Sequence, residues 1–283
     1  MDAIQIRLMT DRDLAFADSL RSLAGWNQTL ADWKRLLQHD PQGCFIAEWE
    51  GQPAGTVTTT TYSARLAWIG MLLVHSKFRK RGIGRALLER SIEHLHHGQV
   101  QCIKLDATPQ GLPLYEQLGF RKEWTLRRWQ RSGASPTPVP TSFRRATDED
   151  FDVIDQLDAE SFGVNRRRLI EGMARDSSRV LVAYNAQKLT SYGVVRDGAR
   201  ATYLGPMSAT SSEQGRNIAA ALLIDLDPSR PVFWDVPDPN VAGVSQATEL
   251  GFTVQRELTR MYLGENVSCR VEQLFGIAGP EVG

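Results

Sequence analysis

Three stretches of this 283-residue chain occur twice, in the same order and at nearly the same separation. Arg7-Leu8-Met9-Thr10-Asp11-Arg12-Asp13-Leu14 returns as Arg144-Arg145-Ala146-Thr147-Asp148-Glu149-Asp150-Phe151. Ala67-Trp68-Ile69-Gly70 returns as Thr202-Tyr203-Leu204-Gly205, and Glu116-Gln117-Leu118-Gly119-Phe120 as Thr248-Glu249-Leu250-Gly251-Phe252. The offsets of 137, 135 and 132 drift slowly, as a few short loop deletions require. A repeat of this length is a whole folding unit, so the chain reads as a tandem duplication, a pseudo-dimer in one polypeptide. Between the copies, Gly133-Ala134-Ser135-Pro136-Thr137-Pro138-Val139-Pro140 continues neither helix nor central strand. The expected division is a first domain over 1–131, a Pro-rich linker over 132–141 and a second domain over 142–283.

Composition excludes several classes. Hydrophobic residues make up 42% and charged residues 23%, ordinary for a chain with packed cores. Lys plus Arg equals Asp plus Glu at 33 each, so no global field recruits nucleic acid or a membrane surface. No leader-like apolar segment and no run of about 18 apolar residues occurs, which predicts a cytoplasmic protein. Cys44, Cys102 and Cys269 have no paired spacing, and the first two read as buried small hydrophobes.

In the first copy the pattern predicts a strand over 4–8, a helix over 11–23 capped by Thr10, and a second helix over 29–37 capped by Thr29. A hairpin follows, 44–50 and 53–61, turning at Glu50-Gly51-Gln52, then a strand over 65–74. Ile83, Leu87, Leu88, Ile92 and Leu95 form one apolar helical stripe. A strand over 101–107, a helix over 109–118 and a strand over 121–130 complete the unit, and the second copy repeats this order more loosely.

One run carries chemistry. The apolar strand ending at Val74 enters His75-Ser76-Lys77-Phe78-Arg79-Lys80-Arg81-Gly82-Ile83-Gly84-Arg85 and opens at once onto the helix. Lys77, Arg79, Lys80, Arg81 and Arg85 place five cations in nine residues. Gly82 and Gly84 let backbone N–H groups approach a bulky anion, and the helix aims its positive end at the same place. That is a pyrophosphate cradle. It is not a P-loop, for no Gly-Lys-Ser/Thr follows, nor a dinucleotide fingerprint, which needs Gly-x-Gly-x-x-Gly and a later acidic residue.

Arg79-x-x-Gly82-x-Gly84, set between strand and helix, resembles the coenzyme A loop of the GNAT superfamily of acyl-CoA-dependent N-acyltransferases. The resemblance implies an α/β fold of two tandem GNAT units, each a mixed, mostly antiparallel sheet flanked by helices. It implies acetyl-CoA as co-substrate, held by Arg79, Lys80, Arg81, Gly82, Ile83, Gly84 and Arg85. It also implies main-chain N–H groups of Leu72, Leu73 and Val74 meeting the acyl carbonyl. Asp106-Ala107-Thr108-Pro109 through Tyr115-Glu116-Gln117-Leu118-Gly119-Phe120 resembles the second family motif, which makes Tyr115 the candidate general acid for the departing thiolate. The family usually has Asn at the strand end; here Asp106 and Thr108 stand there. Asp106 is placed to accept a pantetheine N–H or an acceptor ammonium, with a weaker case as general base. Gly25-Trp26-Asn27-Gln28 joins the first two helices, which in this fold flank the acceptor cleft, so Trp26 and Asn27 are the acceptor candidates. His94, His96 and His97 end a helix with no ligand spacing around them, and no metal is expected.

At an offset of 135 the cradle aligns with Gln214-Gly215-Arg216-Asn217-Ile218-Ala219. Five cations become one, Asn217 replaces the first glycine, and Ala247 stands opposite Tyr115. The second site is expected to be silent. The reading is an N-acetyltransferase that moves acetyl from acetyl-CoA to a small primary amine by direct attack, as a monomeric pseudo-dimer or a homodimer. Its rivals are a non-catalytic acyl-CoA-binding sensor or scaffold, and a protein or peptide N-acetyltransferase.

Overall fold

Each threonine that marks a helix start in the sequence does cap one. The Asp13 carboxylate accepts from Thr10 N–H at 2.8 Å, and a short 3-10 turn, Asp11–Asp13, leads into α1 (Leu14–Leu23). Thr29 and Asp32 build the same box before α2 (Leu30–His39), and Thr147 with Asp150 repeats it in the duplicate. Each box satisfies two orphan N–H groups and stabilises its helix by roughly 1 kcal/mol. The computed structural model describes residues 4–132 and 143–283, so the Pro-rich linker lies outside the described residues apart from Ser132.

In the first copy, β1 (Ile4–Leu8), β2 (Cys44–Trp49), β3 (Gln52–Ser63) and β4 (Leu66–Val74) are successive antiparallel neighbours. The β2–β3 turn places Glu50 and Gly51 at φ of 50° and 78°, the left-handed pair that a two-residue hairpin requires. β5 (Cys102–Ala107) then joins β4 in parallel. Between them α3 (Ile83–His97) lays its apolar stripe on the sheet. Ile83, Leu87, Leu88 and Leu95 are buried against Phe45, Val57, Ile69 and Ile103. α4 (Leu112–Gln117) begins later than the 109–118 pattern predicts, because Gly111 N–H bonds both the hydroxyl and the carbonyl of Thr108 and closes a turn first. β6 (Arg121–Arg131) follows.

The duplicate repeats the order. β7 (Phe143–Arg145), α5 (Phe151–Phe162), α6 (Arg167–Arg175), β8 (Arg179–Asn185), β9 (Lys188–Arg196) and β10 (Thr202–Ala209) precede α7 (Ser212–Leu222). β11 (Val232–Pro237), α8 (Val241–Glu249) and β12 (Thr253–Gly264) complete the repeat, and β13 (Leu274–Gly276) has no counterpart in the first copy. β7 to β10 are antiparallel, β10 and β11 parallel, and β6 is the antiparallel partner of β11. Its core gathers Leu204, Met207, Ile218, Leu222, Trp234, Phe252 and Phe275.

Compactness groups the chain differently from the linear boundaries. One unit comprises 1–121, 261–266 and 280–283, and the other 122–260 and 267–279. The last residues of β12 thus belong with the first copy, where Glu265 N–H donates to Gln101 O at 3.0 Å and Gly264 O accepts from Arg121 at 2.8 Å.

Candidate active site

The cradle is a helix end left without a cap. Gly82 is the residue before α3, at φ +82°, and no side chain bonds the first N–H groups of the helix. The first backbone bond runs from Ala86 N–H to Gly82 O, so the N–H groups of Ile83, Gly84 and Arg85 face outward from the helix start. Lys80 also adopts a left-handed φ of 62°, so two residues bend the loop round this end. Gly82 has open space where a side chain would go, with only Ile4 at 4.0 Å. The left-handed backbone angle favours glycine here, and the space beside it is open.

The five cations do not all serve that point. Lys77 and Lys80 are exposed, and Arg79 Nε donates to Val74 O at 3.3 Å, beside the loop. Arg81 lies over the Trp49 indole at 4.7 Å. Arg85 donates to Gln117 at 2.6 Å and to Glu89 at 3.3 Å, tying α3 to α4. Arg79, Lys77 and Lys80 therefore supply the cationic rim, and Arg85 positions the helix that carries Tyr115.

Beside the helix end the sheet opens. β4 and β5 pair only at Leu66–Cys102, Ala67–Ile103 and Trp68–Lys104. Beyond these pairs Met71 takes φ +51° and the β3–β4 register shifts, while Leu72, Leu73 and Val74 continue towards the loop. Asp106, the last residue but one of β5, is half-buried beyond these pairs. Thr108 is spent on the turn before α4. Tyr115 folds its ring back over Gly111 and meets Phe120 edge-on at 6.0 Å. Its hydroxyl has no hydrogen-bond partner among the described residues, and burial pushes the phenol up to about 12.

Odd residues of β3 face α3, as Gly55 does towards Leu87. Thr58 and Thr60 point to the opposite face, where they stand across from Gly70 and Trp68 of β4. The α1–α2 connection carries Trp26, half-buried, and Asn27, buried. It also brings residues that sequence reasoning did not single out. Gln28 Nε2 donates to Glu281 Oε2 at 2.6 Å, and both residues are buried. The Glu281 backbone lies against Gly70, where any side chain would collide with it, and Pro280 O accepts from Trp68 Nε1 at 2.9 Å. Gln28 Oε1, Thr58 Oγ1 and Thr60 Oγ1 are buried without a partner.

The duplicate has none of this openness. Ser211 caps α7 by accepting from Gln214 N–H at 3.3 Å, so Gln214-Gly215-Arg216-Asn217 lies inside the helix rather than before it. A methyl group on Gly215 would overlap the Phe275 ring. β10 leaves β11 after the Leu204–Trp234 pair, as β4 leaves β5, but β13 enters the gap and pairs with Met207 and Ser208. Trp234 Nε1 locks it by donating to Phe275 O at 2.7 Å. The other face is filled as well. Arg166 and Asp158 form a fully buried ion pair at 2.7 Å, and the Tyr192 hydroxyl donates to the same carboxylate. Arg196 stands opposite Tyr203 as Thr60 stands opposite Trp68, and its guanidinium bonds Gly205 O and Ala278 O.

With this geometry described, comparison with known proteins is informative. The model of the acetyltransferase (GNAT) family matches residues 9–120, and that of an acetyltransferase (GNAT) domain matches residues 154–276. This chain belongs to the GNAT acetyltransferases. It carries two such domains and is an acyltransferase, from a family whose co-substrate is acetyl-CoA. The GNAT chain is 25% identical over 227 residues to the uncharacterized N-acetyltransferase YitH of Bacillus subtilis, covering 77% of each. It is 30% identical over 108 residues to N-alpha-acetyltransferase 30 of Dictyostelium discoideum, a match that takes in 36% of this chain and 58% of that protein. A solved Pyrococcus horikoshii protein, named as an acetyltransferase, superposes with a TM-score of 0.87 at 23% identity, over 100% of this GNAT chain and 97% of that one. That likeness supports the mixed, mostly antiparallel fold read from the sequence.

Among the described residues no group of His, Cys, Asp and Glu is placed to hold a metal ion. His94 lies 3.8 Å from Asp40, and His97 bonds the Glu93 carbonyl.

Proposed function

We propose that the first GNAT domain transfers acetyl from acetyl-CoA to a small primary amine, and that the second binds no acetyl-CoA. The observation that carries this reading is the contrast between two copies of one fold. In one copy the helix end is uncapped beside an open strand gap; in the other the end is capped and the gap filled.

The pyrophosphate takes the N–H groups at the start of α3, with Arg79, Lys77 and Lys80 around it. Leu72, Leu73 and Val74 offer main-chain groups to the thioester carbonyl. The acceptor enters on the face of Thr58 and Gln28. An ammonium is three donors and no acceptor. The unpartnered Gln28 Oε1, the two threonine hydroxyls and the Glu281 carboxylate complement it. Asp106 accepts from the pantetheine arm or from the acceptor. Attack of the neutral amine breaks the C–S bond. Of the two protons the ammonium gives up, one ends on the CoA sulphur and the other in solvent.

The acceptor is tested by measuring thiol release from acetyl-CoA with a panel of diamines, amino acids and short peptides. Higher kcat/KM for small amines is expected, and Glu281→Gln should raise their KM by about tenfold while acetyl-CoA affinity stays unchanged, as loss of a charge-assisted bond predicts. Turnover of peptides alone would replace this acceptor with a polypeptide N-terminus, in line with the name of the Dictyostelium relative. No turnover with any acceptor, but tight acetyl-CoA binding, would favour the non-catalytic sensor. Calorimetric titration with acetyl-CoA should saturate at one equivalent per chain. Two equivalents would mean that β13 leaves its gap, and would overturn the silence of the second domain.

A further inference from the structure

The second copy has lost one anion cradle and acquired another cationic cavity elsewhere. Between the start of α5, α6 and strands β7 and β8 lies a cavity of about 630 Å³, lined by Arg145, Arg167, Arg175, Arg179, Ser177 and Ser178. Asp148 and Glu171 also line it. Glu171 is engaged by Arg167 at 2.7 Å, and Arg167 is held a second time by Asp152. Arg145 and Arg175 form no ion pair or side-chain hydrogen bond among the described residues, and Asp148 pairs with neither.

Arg179 makes the imbalance costly. It is half-buried, and its Nη2 donates to two neutral carbonyls, Leu222 O at 2.7 Å and Ile224 O at 2.6 Å, rather than to a carboxylate. Burial above all, and then the neighbouring Arg145 charge, hold its guanidinium below the usual arginine range, with Asp225 acting in the opposite sense. A half-buried guanidinium whose side-chain hydrogen bonds go to carbonyls and not to a carboxylate, with the unpaired Arg145 beside it, leaves the cavity with positive charge that its own acidic residues do not neutralise. A bound anion reverses the sign, because planar guanidinium groups grip carboxylate and phosphate oxygens in pairs.

Comparison of the copies shows that the shared fold does not require these charges. Leu8 faces Phe45 across β1 and β2 as Arg145 faces Leu181 across β7 and β8, so Leu8 holds the place of Arg145. Two residues before Phe45 stands Gly43, at the place of Arg179, and there a methyl group would overlap the Thr59 hydroxyl. The first copy has neither the charge nor the space. The cationic cavity is a property of the copy that no longer holds a coenzyme.

We propose that this cavity binds a small multivalent organic anion, a phosphate ester or a polycarboxylate, through Arg145, Arg175 and Arg179. Ser177 and Ser178 bond Ala174 O and Val195 O through their hydroxyl hydrogens, which leaves their oxygens as rim groups only. Phe151, Ala146 and Val180 give the anion's carbon body an apolar wall.

The test uses the full chain saturated with acetyl-CoA, so that the α3 cradle is occupied, and titrates it by calorimetry at low salt with inorganic phosphate and, separately, citrate. Saturable one-to-one binding is expected, weakened at least tenfold in the double variant Arg145→Ala, Arg175→Ala. Both residues are exposed, so an unchanged melting temperature of that variant without the anion is the control for folding. Preference for phosphate marks a phosphate ester as the physiological class, and preference for citrate a polycarboxylate. Absence of saturable binding in both arms, or equal binding by the double variant, would overturn the assignment.

Discussion

Gly82→Val is expected to remove acetyl-CoA binding to the first domain almost entirely, with a loss of at least a hundredfold in calorimetric affinity. Two costs combine. A β-branched residue at φ +82° is a conformational outlier, and forcing it costs about 1–3 kcal/mol unless the loop rearranges. The isopropyl group then stands at an open helix end whose N–H groups must reach the pyrophosphate. Because only Ile4 lies near, at 4.0 Å, the damage is to ligand approach and not to packing. Gly82→Asn separates the two costs. Asparagine tolerates a left-handed backbone, so its effect reports obstruction alone, and it recreates the residue that the duplicate carries as Asn217. Arg79→Ala is milder, roughly 1–3 kcal/mol, as for one charge-assisted contact. Unchanged affinity in Gly82→Val would place the coenzyme elsewhere.

How far the sequence revealed this arrangement depends on the range of the interaction. Helix starts were legible because Thr10 and Thr29 each act on a residue three positions ahead. The hairpin at Glu50-Gly51 was legible because the left-handed pair is local. The cradle was legible because strand, loop and helix are contiguous. The fate of Arg81 and Arg85 was not, since Trp49 and Gln117 lie far along the chain and charge alone does not say where a long side chain folds. The second copy's altered cradle was visible as lost cations, but not what fills its strand gap: β13 is three residues with no periodic signal, and only the fold puts it beside β10. Glu281 was invisible for the same reason, 253 residues from the Gln28 it meets. The grouping of 122–131 with the second unit and 261–266 with the first was hidden for another reason. β6 and β12 descend from one strand, so their alternating patterns fit either sheet equally, and sequence carries no preference between them.

Tyr115→Phe is expected to lower kcat by about a hundredfold, or roughly 2.7 kcal/mol, with acetyl-CoA affinity near normal. The ring stays in place in the variant, since its packing on Gly111 and Phe120 needs no hydroxyl. What is lost is a phenolic O–H that has no hydrogen-bond partner among the described residues. Its acidity decides how it works. A phenol at about 12 is a weaker acid than a thiol near 8.5, so complete transfer to a free thiolate runs uphill. In the proposed mechanism Tyr115 therefore keeps its proton and donates a hydrogen bond to sulphur as negative charge develops on it, and the proton that ends on sulphur comes from the acceptor nitrogen. The pH dependence follows. A group raised from 10 to about 12 remains protonated through pH 10, so kcat should show no descending limb there, while kcat/KM for the amine rises as its ammonium deprotonates. A fall in kcat centred near pH 10 in the wild type but absent in Tyr115→Phe would show the phenol titrating at its ordinary value, in an open and hydrated site. Full turnover in Tyr115→Phe would mean that water, not this residue, stabilises the departing sulphur.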